Sequence, residues 1–292
     1  MTQIFLSLLA AFLYAGHSFF VKFGLRESDP TSAGLVSTVV NCAVLWCLVF
    51  LLGPVPAAGS GAWLTLLVAG LIAPGLARIF LYNGIEKTGV SVASPIRSTY
   101  PFFSILPAVF LLKEQLTVSV AIATTITVAG VILVSLSSSG AGRLPTQLRW
   151  KKRHLVYPLA AAMCYGFSNY FKKLGMNSVE SPLLAAAIVA TAALCLFLVL
   201  LPVSKRRVGF RMGRTGLAFC CLGGLSASAA QICMYAALKT GELLIVGPLV
   251  STTPLFTLLL AFLFLRDSER LNMRMASGVA AIVIGIVLLK MP

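Results

Sequence analysis

The chain consists largely of apolar stretches joined by short connections. An α-helix rises about 1.5 Å per residue, so about 20 apolar residues cross the roughly 30 Å of hydrocarbon in a bilayer. Hydrophobic residues make up 59% of the chain and charged residues 11%, whereas about 25% of the residues of a soluble protein are charged. The sequence therefore predicts an all-α integral membrane protein with ten transmembrane helices. The predicted spans are residues 3-23, 32-52, 62-84, 90-112, 116-137, 155-172, 182-202, 215-238, 243-265 and 273-290.

The fourth spans of the two halves share a proline pattern. SPIRSTYPFF at 94-103 matches GPLVSTTPLF at 247-256. Proline removes a backbone donor and kinks a helix, and a single kink is more often explained by packing than by function. Kinked helices at corresponding positions of two repeats point instead to a transport pathway. The prolines predicted to act as kinks or gating points are Pro95, Pro101, Pro248 and Pro254.

The first spans of the two halves are also alike, since LAAFLYAGHSFFVK at 9-22 resembles LAAAMCYGFSNYFK at 159-172. Each half holds five spans, and an odd number makes the second copy enter the membrane from the opposite side. We therefore predict two inverted five-helix repeats, an arrangement typical of secondary transporters. The predicted boundaries are 1-137 for the first repeat, 138-154 for a linker loop and 155-292 for the second repeat.

These duplicated features resemble the EamA-type branch of the drug/metabolite transporter (DMT) superfamily across almost the whole chain. The resemblance rests on the two five-span halves, the paired first spans, the Pro-x5-Pro fourth spans and the acidic residue after each of them, Glu114 and Asp267. It implies a ten-helix inverted-repeat carrier, often an exporter of amino acids or other small metabolites, with the substrate held between the halves. We accordingly expect an integral protein of a bacterial cytoplasmic (inner) membrane.

Two arginines lie inside predicted spans, Arg78 in the third and Arg97 in the fourth. A charged side chain in hydrocarbon costs at least a few kcal/mol, so each guanidinium needs a partner. All eight Asp and Glu residues lie in loops or at span ends. A structural partner is available if Glu86 or Glu242 is drawn inward, or from backbone carbonyls freed by the prolines.

The second half carries no charge at the corresponding positions, where Gln231 aligns with Arg78 and Val250 with Arg97. A brace for the fold would be expected in both halves. We therefore hypothesise that the missing countercharge is a carboxylate or phosphate of the substrate, which arginine recognises through two parallel hydrogen bonds. Each of the other polar side chains is equally well explained by an interhelical hydrogen bond. The residues predicted to bind substrate are Arg78, Tyr82, Arg97, Tyr100, Asn169, Gln231, Tyr235, Ser251 and Thr252.

Several function classes are disfavoured. The formal charge of +15 lies mostly in short loops between spans, as membrane topology requires, so no nucleic-acid partner is expected. The seven cysteines lie in spans and show no metal-ligand spacing with the two histidines, so we expect neither a metal nor a cofactor. No G-x-x-x-x-G-K-[ST] motif and no mid-span catalytic set occur, so the chain is not expected to be an enzyme.

The predicted function is that of a secondary transporter, working as an exporter, facilitator or exchanger of a small polar metabolite by alternating access. The expected partners are this small-molecule substrate and the lipid bilayer. No Asp or Glu lies mid-membrane, which favours facilitated diffusion or exchange over strict proton antiport. A functional monomer is expected because the inverted duplication supplies an internal two-fold axis.

Two alternative functions remain open. The first is a multidrug efflux carrier for hydrophobic cations, which would be expected to have a membrane-embedded carboxylate. The second is a flippase for a lipid or lipid-linked anion, whose head group would meet the basic residues near Lys22, Lys172 and Lys173.

Loop charge and family resemblance disagree about orientation. If the amino terminus lay inside, most of the Lys and Arg, including RWKKR at 149-153 and KRR at 205-207, would face outward, against the positive-inside rule. Loop charge therefore predicts both termini outside, whereas the resemblance implies both inside.

Small residues at four-residue spacing predict helix faces that pack closely, either within each half, between the halves or between protomers. Such residues let helices approach one another in a membrane, where apolar surface alone does not drive association. The predicted stripes are Ala121, Thr125 and Ala129 in span five and Ser277, Ala281 and Gly285 in span ten.

Overall fold

The computed structural model describes residues 1–52, 60–138, 152–200, 212–264 and 273–289. In these ranges the chain is helical, apart from loops, turns and one isolated β-bridge between Ser28 and Met212. The helices are α1 (Thr2–Gly24), α2 (Pro30–Leu51), α3 (Ser60–Gly70), α4 (Ala77–Thr88), α5 (Val90–Arg97), α6 (Tyr100–Phe110), α7 (Val118–Ser138), α8 (Val156–Ser178), α9 (Pro182–Leu200), α10 (Arg214–Thr240), α11 (Leu243–Ser251), α12 (Thr253–Phe264) and α13 (Met273–Leu288).

Three pairs of these helices, α3 with α4, α5 with α6 and α11 with α12, each form one broken helix. Counted in this way, the described residues contain ten helical passages, which start and end within a few residues of the predicted spans. Seven of the described helices are long and apolar enough to cross a membrane. A shorter apolar helix, Met273–Leu288, follows near the carboxyl terminus.

The third passage is broken at a proline. Pro74 lies in a π-helical turn, Leu71–Leu76, where Ala73 leaves the helical conformation with φ −150° and ψ 128°. The hydroxyl of Ser168 donates a hydrogen bond to the Ala73 carbonyl at 2.9 Å. The corresponding helix of the second half, α10, runs without a break. The sequence reasoning placed kinks in the fourth spans and did not single out Pro74.

The chain divides into two compact units, and each unit combines segments from both sequence halves. The first unit comprises Met1–Leu71 with Phe171–Thr240, and the second comprises Ile72–Tyr170 with Gly241–Pro292. A helix of the first half therefore packs against a helix of the second half within each unit.

In the first unit, α1 packs along α10, while α2 packs on α9 and α10 and α3 packs on α9. Small residues allow α1 and α10 to pack closely against each other. A Cβ atom at Gly16 would lie 2.8 Å from the hydroxyl of Ser226, which itself donates to the Leu13 carbonyl at 2.7 Å. The ring of His17 bonds to the Gly223 carbonyl through Nδ1 at 2.9 Å.

In the second unit, α7 packs along α13, and α11 packs on α6 and α7. A Cβ atom at Gly130 would lie 2.7 Å from the carbonyl of Gly278. Of the predicted stripe on span five, Thr125 and Ala129 are exposed, and Gly130 faces α13 instead. On span ten Gly285 does face α7, whereas Ser277 is exposed. The core of this packing consists of Val131, Val134, Leu258, Met275 and Ile282.

Candidate functional site

The fourth and ninth passages are broken at corresponding positions. Helix α5 ends at Arg97 and α6 begins at Tyr100, while α11 ends at Ser251 and α12 begins at Thr253. A threonine lies at each break and donates its hydroxyl proton to its own helix, Thr99 to the Ile96 carbonyl and Thr252 to the Leu249 carbonyl, both at 2.7 Å. The same two carbonyls also accept the backbone N–H of these threonines, at 3.1 and 3.2 Å, so both breaks close with the same tight turn.

The four predicted prolines flank these breaks. Pro95 and Pro248 lie inside α5 and α11 and are buried. Pro101 and Pro254 lie in the first turns of α6 and α12, where a missing N–H is tolerated. Ser251 is also buried and donates to the Pro248 carbonyl at 2.6 Å.

Arg97 lies at the break between α5 and α6 and contacts an aromatic ring. Its guanidinium carbon lies 5.5 Å from the centre of the Tyr165 ring, in a cation–π arrangement. The ring centres of Tyr165 and Tyr100 are 6.2 Å apart, with 50° between the ring planes. The Tyr100 hydroxyl donates to the carbonyl of Gly247 at 3.2 Å. We call these four residues, Arg97, Tyr100, Tyr165 and Gly247, the Arg97 cluster.

Gly166 allows α8 to reach this cluster. A Cβ atom at position 166 would lie 2.6 Å from the Cβ of Phe103 and 2.9 Å from the carbonyl oxygen of Tyr100. Real Cβ atoms almost never approach other heavy atoms so closely, so only glycine fits here without a shift of α8. The neighbouring residue is Tyr165, which is thereby brought against Tyr100 and Arg97.

The guanidinium of Arg97 has little protein around it that compensates its charge. The side chain is half-buried. Among the residues that the structure describes, it makes the ring contact with Tyr165 and forms no hydrogen bond or ion pair. A guanidinium carries five N–H donors, so its hydrogen-bonding capacity is available to a ligand.

Three other predicted residues of the second unit lie on α4 and α8. Arg78 is half-buried in α4 and is engaged by other groups of the protein. Asn169 is also half-buried and engaged, and it lies one helical turn after Tyr165 on α8. The backbone of Tyr82 belongs to α4, but its side chain lies outside the described part of the structure.

Gln231 and Tyr235 lie one turn apart on α10 and belong to the first unit. Tyr235 is 0% exposed. Within the described part of the chain, neither the Tyr235 hydroxyl nor the side-chain oxygen of Gln231 has a hydrogen-bond partner, although both atoms are buried. On the facing helix, Tyr14 donates weakly to the sulfur of Met234 at 3.8 Å.

The sequence reasoning missed Tyr165. The residue occurs in the first-span stretch LAAAMCYG, where the aligned residue of the other half is Ala15. A departure from the repeat at that position, next to a glycine shared by both halves, is the signal that would have identified it. Among the described residues, no group of three or more His, Cys, Asp or Glu could hold a metal ion.

A cation at a helix break inside a set of apolar helices is typical of membrane transporters, in which broken helices line the substrate site. Residues 1–136 and 153–291 each match the model of the EamA-like transporter family, so the chain belongs to this family. It is thus an integral membrane protein and a transporter.

The chain is also similar to a further protein in sequence and to a solved structure in fold. The chain is 23% identical to an uncharacterized transporter of Archaeoglobus fulgidus over 292 residues, which are 100% of this chain and 99% of that protein. A solved crystal structure of a protein with 16% sequence identity superposes with a TM-score of 0.79 and covers 99% of this chain and 98% of that one. The second similarity shows that the fold is shared.

Proposed function

We propose that the protein is a secondary transporter that moves a small polar metabolite with an anionic group, such as an amino acid or an organic anion, across the membrane by alternating access. It acts as an exporter, facilitator or exchanger and catalyses no chemical reaction. The proposal includes two inverted five-helix repeats, a functional monomer and a location in a bacterial cytoplasmic membrane.

The observation that carries this proposal is that the guanidinium of Arg97 lacks a countercharge among the described residues. Its guanidinium is half-buried in a membrane protein, and no described residue offers it a hydrogen bond or a countercharge. A charged side chain without a countercharge is costly at membrane depth, where hydrocarbon offers no water to replace the partner. An anionic group of the substrate would supply both the charge and the acceptor atoms.

Alternating access is supported by the duplication. The family model matches twice, once in each half of the chain. The breaks between α5 and α6 and between α11 and α12 carry the same threonine-to-carbonyl bond. Inverted repeats that place broken helices at the same depth are typical of carriers that expose one site to either side in turn.

The remaining residues of the proposed binding site differ in what supports them. Gln231 and Tyr235 each bury an atom without a described partner, which favours contact with a ligand or with bound water. Ser251 and Thr252 direct their hydroxyl protons at their own helix, so only their oxygen lone pairs would remain for a substrate. Arg78 would have to exchange its present contacts to bind one.

Counterflow in proteoliposomes tests the proposal. The panel comprises amino acids, monocarboxylates, dicarboxylates, phosphorylated metabolites and a hydrophobic cation, and a parallel assay follows the movement of a fluorescent phospholipid between leaflets. We expect saturable exchange of at least one anionic or zwitterionic solute. Transport of the hydrophobic cation alone would favour multidrug efflux, and lipid movement alone would favour a flippase. Either result would contradict the proposal.

A further inference from the structure

We propose that Tyr165 is a positioning residue for Arg97, and that the two residues together select a carboxylate. The inference rests on the proposed function and deepens it, because it names the anionic group that the proposed function leaves general. Tyr165 is not expected to touch the substrate. It acts by fixing where the guanidinium points.

The first step of the argument concerns the shape of the guanidinium. The group is planar, and its five N–H donors project from the edge, while its faces carry no donor. Tyr165 offers Arg97 a ring at 5.5 Å and no hydrogen bond. A cation–π contact is attractive and restrains the group, and a single ring can face only part of a set of five donors, so N–H groups remain for a ligand.

The second step concerns how Tyr165 itself is held. Its ring packs against Tyr100, whose hydroxyl is fixed by the Gly247 carbonyl of α11. The absence of a side chain at Gly166 keeps α8 in close contact with α6 at the same level. Contacts among α6, α8 and α11 thus hold the Tyr165 ring next to the guanidinium. Little side-chain freedom of Tyr165 therefore remains to be lost when a ligand binds.

The third step compares the two halves of the chain. Arg97 corresponds to Val250, and Tyr165 corresponds to Ala15. Both members of the pair are therefore absent from the other half, whereas Gly166 has a counterpart in Gly16. The glycine is explained by close helix packing, which both halves need. The tyrosine occurs only where there is an arginine to hold.

The fourth step concerns the charge of the ligand. A carboxylate carries one negative charge and presents two oxygens in one plane, which matches a single guanidinium edge. A phosphate monoester carries about 1.5 to 2 negative charges at neutral pH, so one guanidinium leaves part of that charge uncompensated. The second arginine of this region, Arg78, is already engaged by other groups. The charge balance therefore favours the carboxylate.

The test measures KM and maximal rate of uptake into proteoliposomes for three kinds of probe. These are L-lactate and L-alanine as carboxylates, their amides as neutral or cationic analogues, and glycerol 3-phosphate as a phosphate monoester. For Tyr165→Leu we expect KM of the transported carboxylate to rise about fivefold, in line with the loss of one cation–π contact, with a smaller change in maximal rate. Tyr165→Phe retains the ring and should stay within about twofold of the wild type.

A matched control is available on the same helix. Tyr157, in the first turn of α8, also carries a cation over its ring, the ammonium of Lys87 at 4.4 Å. Lys87 also donates a hydrogen bond to the Tyr157 hydroxyl at 3.0 Å. Tyr157→Leu therefore removes at least as much from a cation as Tyr165→Leu does, but away from the Arg97 cluster, and it should leave KM for the carboxylate unchanged. Arg97→Lys adds a second test with the ring in place, because an ammonium is a point charge without a planar donor edge. It should lose the preference for the carboxylate over the phosphate ester.

The outcomes separate this inference from the proposed function. If carboxylate uptake is saturable and has the same KM in the wild type and in Tyr165→Leu, the positioning role of Tyr165 is overturned. The proposed function is not affected by that result. A wild-type preference for glycerol 3-phosphate would overturn the assignment of a carboxylate while leaving an anion carrier. A wild type that transports no anion from the wider panel would contradict the proposed function, and this inference with it.

Discussion

The carboxylate of Glu114 accepts a hydrogen bond from the backbone N–H of Leu243 at 2.8 Å, although the two residues are 129 positions apart. Its second oxygen accepts the N–H of Leu244 at 2.9 Å. Glu242 occupies the N-cap position of α11 and makes no capping bond of its own. An acidic residue of the first half therefore satisfies the first turn of a helix of the second half, and its negative charge lies at the positive end of the helix dipole.

Glu114→Gln should weaken this attachment. The amide keeps one acceptor oxygen but turns an NH2 group toward a backbone N–H, so we expect a loss of about 1–2 kcal/mol, as for other removed N-caps. The measurement is thermal unfolding of the purified protein in detergent. Glu242→Gln removes a negative charge at the same helix end without removing a cap hydrogen bond, so it is the comparison for the cap itself. Equal melting temperatures for the two variants would show that the Glu114 cap does not contribute.

Gly166→Ala tests the close approach of α8 to α6. The added methyl would lie 2.6 Å from the Cβ of Phe103, so one of the helices must move, at an expected cost of about 1–3 kcal/mol. Uptake should fall together with stability because Tyr165 moves with α8. In Gly61→Ala, which adds the same methyl in α3, the new atom meets no described atom within 4 Å. That variant should be as stable as the wild type or more so. A fully stable Gly166→Ala would contradict the packing described above.

Gly130→Val and Ala129→Val form a matched pair on neighbouring residues of α7. At Gly130 the side chain would meet the backbone of α13, with its Cβ 2.7 Å from the Gly278 carbonyl, so unfolding should occur at a clearly lower temperature. Ala129 is exposed on the face predicted from sequence to pack, and its replacement should be tolerated. The melting temperatures of the two variants in detergent decide which face of α7 is buried. A lower melting temperature for Ala129→Val than for Gly130→Val would indicate that the face with Ala129 is the buried one.

Tyr235→Phe removes a buried hydroxyl that has no described partner. Removing an unsatisfied polar group relieves its desolvation cost, so we expect the melting temperature to stay the same or to rise. Ser228→Ala on the same helix is the comparison, because that hydroxyl donates to the side-chain oxygen of Asn41 at 2.9 Å and its loss should cost about 1 kcal/mol. If Tyr235→Phe is destabilised as much as Ser228→Ala, the hydroxyl has a partner in the folded protein.

The helices could be predicted closely from the sequence because every backbone polar group in hydrocarbon must be satisfied within its own helix. Apolar length therefore fixes the spans, and α9 lies at Pro182–Leu200 where 182-202 is predicted. Helix faces are harder to predict. Lipid is as apolar as a helix neighbour, so hydropathy does not separate the buried face of α7 from its lipid face, and Gly130 was missed in favour of Ala129.

The candidate site could be predicted only in part. Arg97 stands out because a charge in hydrocarbon is unusual, and Tyr100 follows from helical spacing. Tyr165 does not stand out, because an aromatic residue in a span is ordinary until its neighbours are known. The two compact units do not coincide with the two sequence repeats, because each unit combines segments of both halves. Contacts between distant residues, such as Glu114 with Leu243, cannot be read from the order of the repeats along the chain.

The most direct measurement is counterflow of a transported carboxylate and of its amide by the wild type and by Arg97→Val, which copies the residue of the other half. We expect the wild type to exchange the carboxylate saturably and to discriminate against the amide. Arg97→Val should lose carboxylate exchange while it still folds, as judged by its melting temperature, because the variant removes a charge that no described residue compensates. Unchanged carboxylate exchange by a folded Arg97→Val would contradict the proposal that this guanidinium binds the substrate.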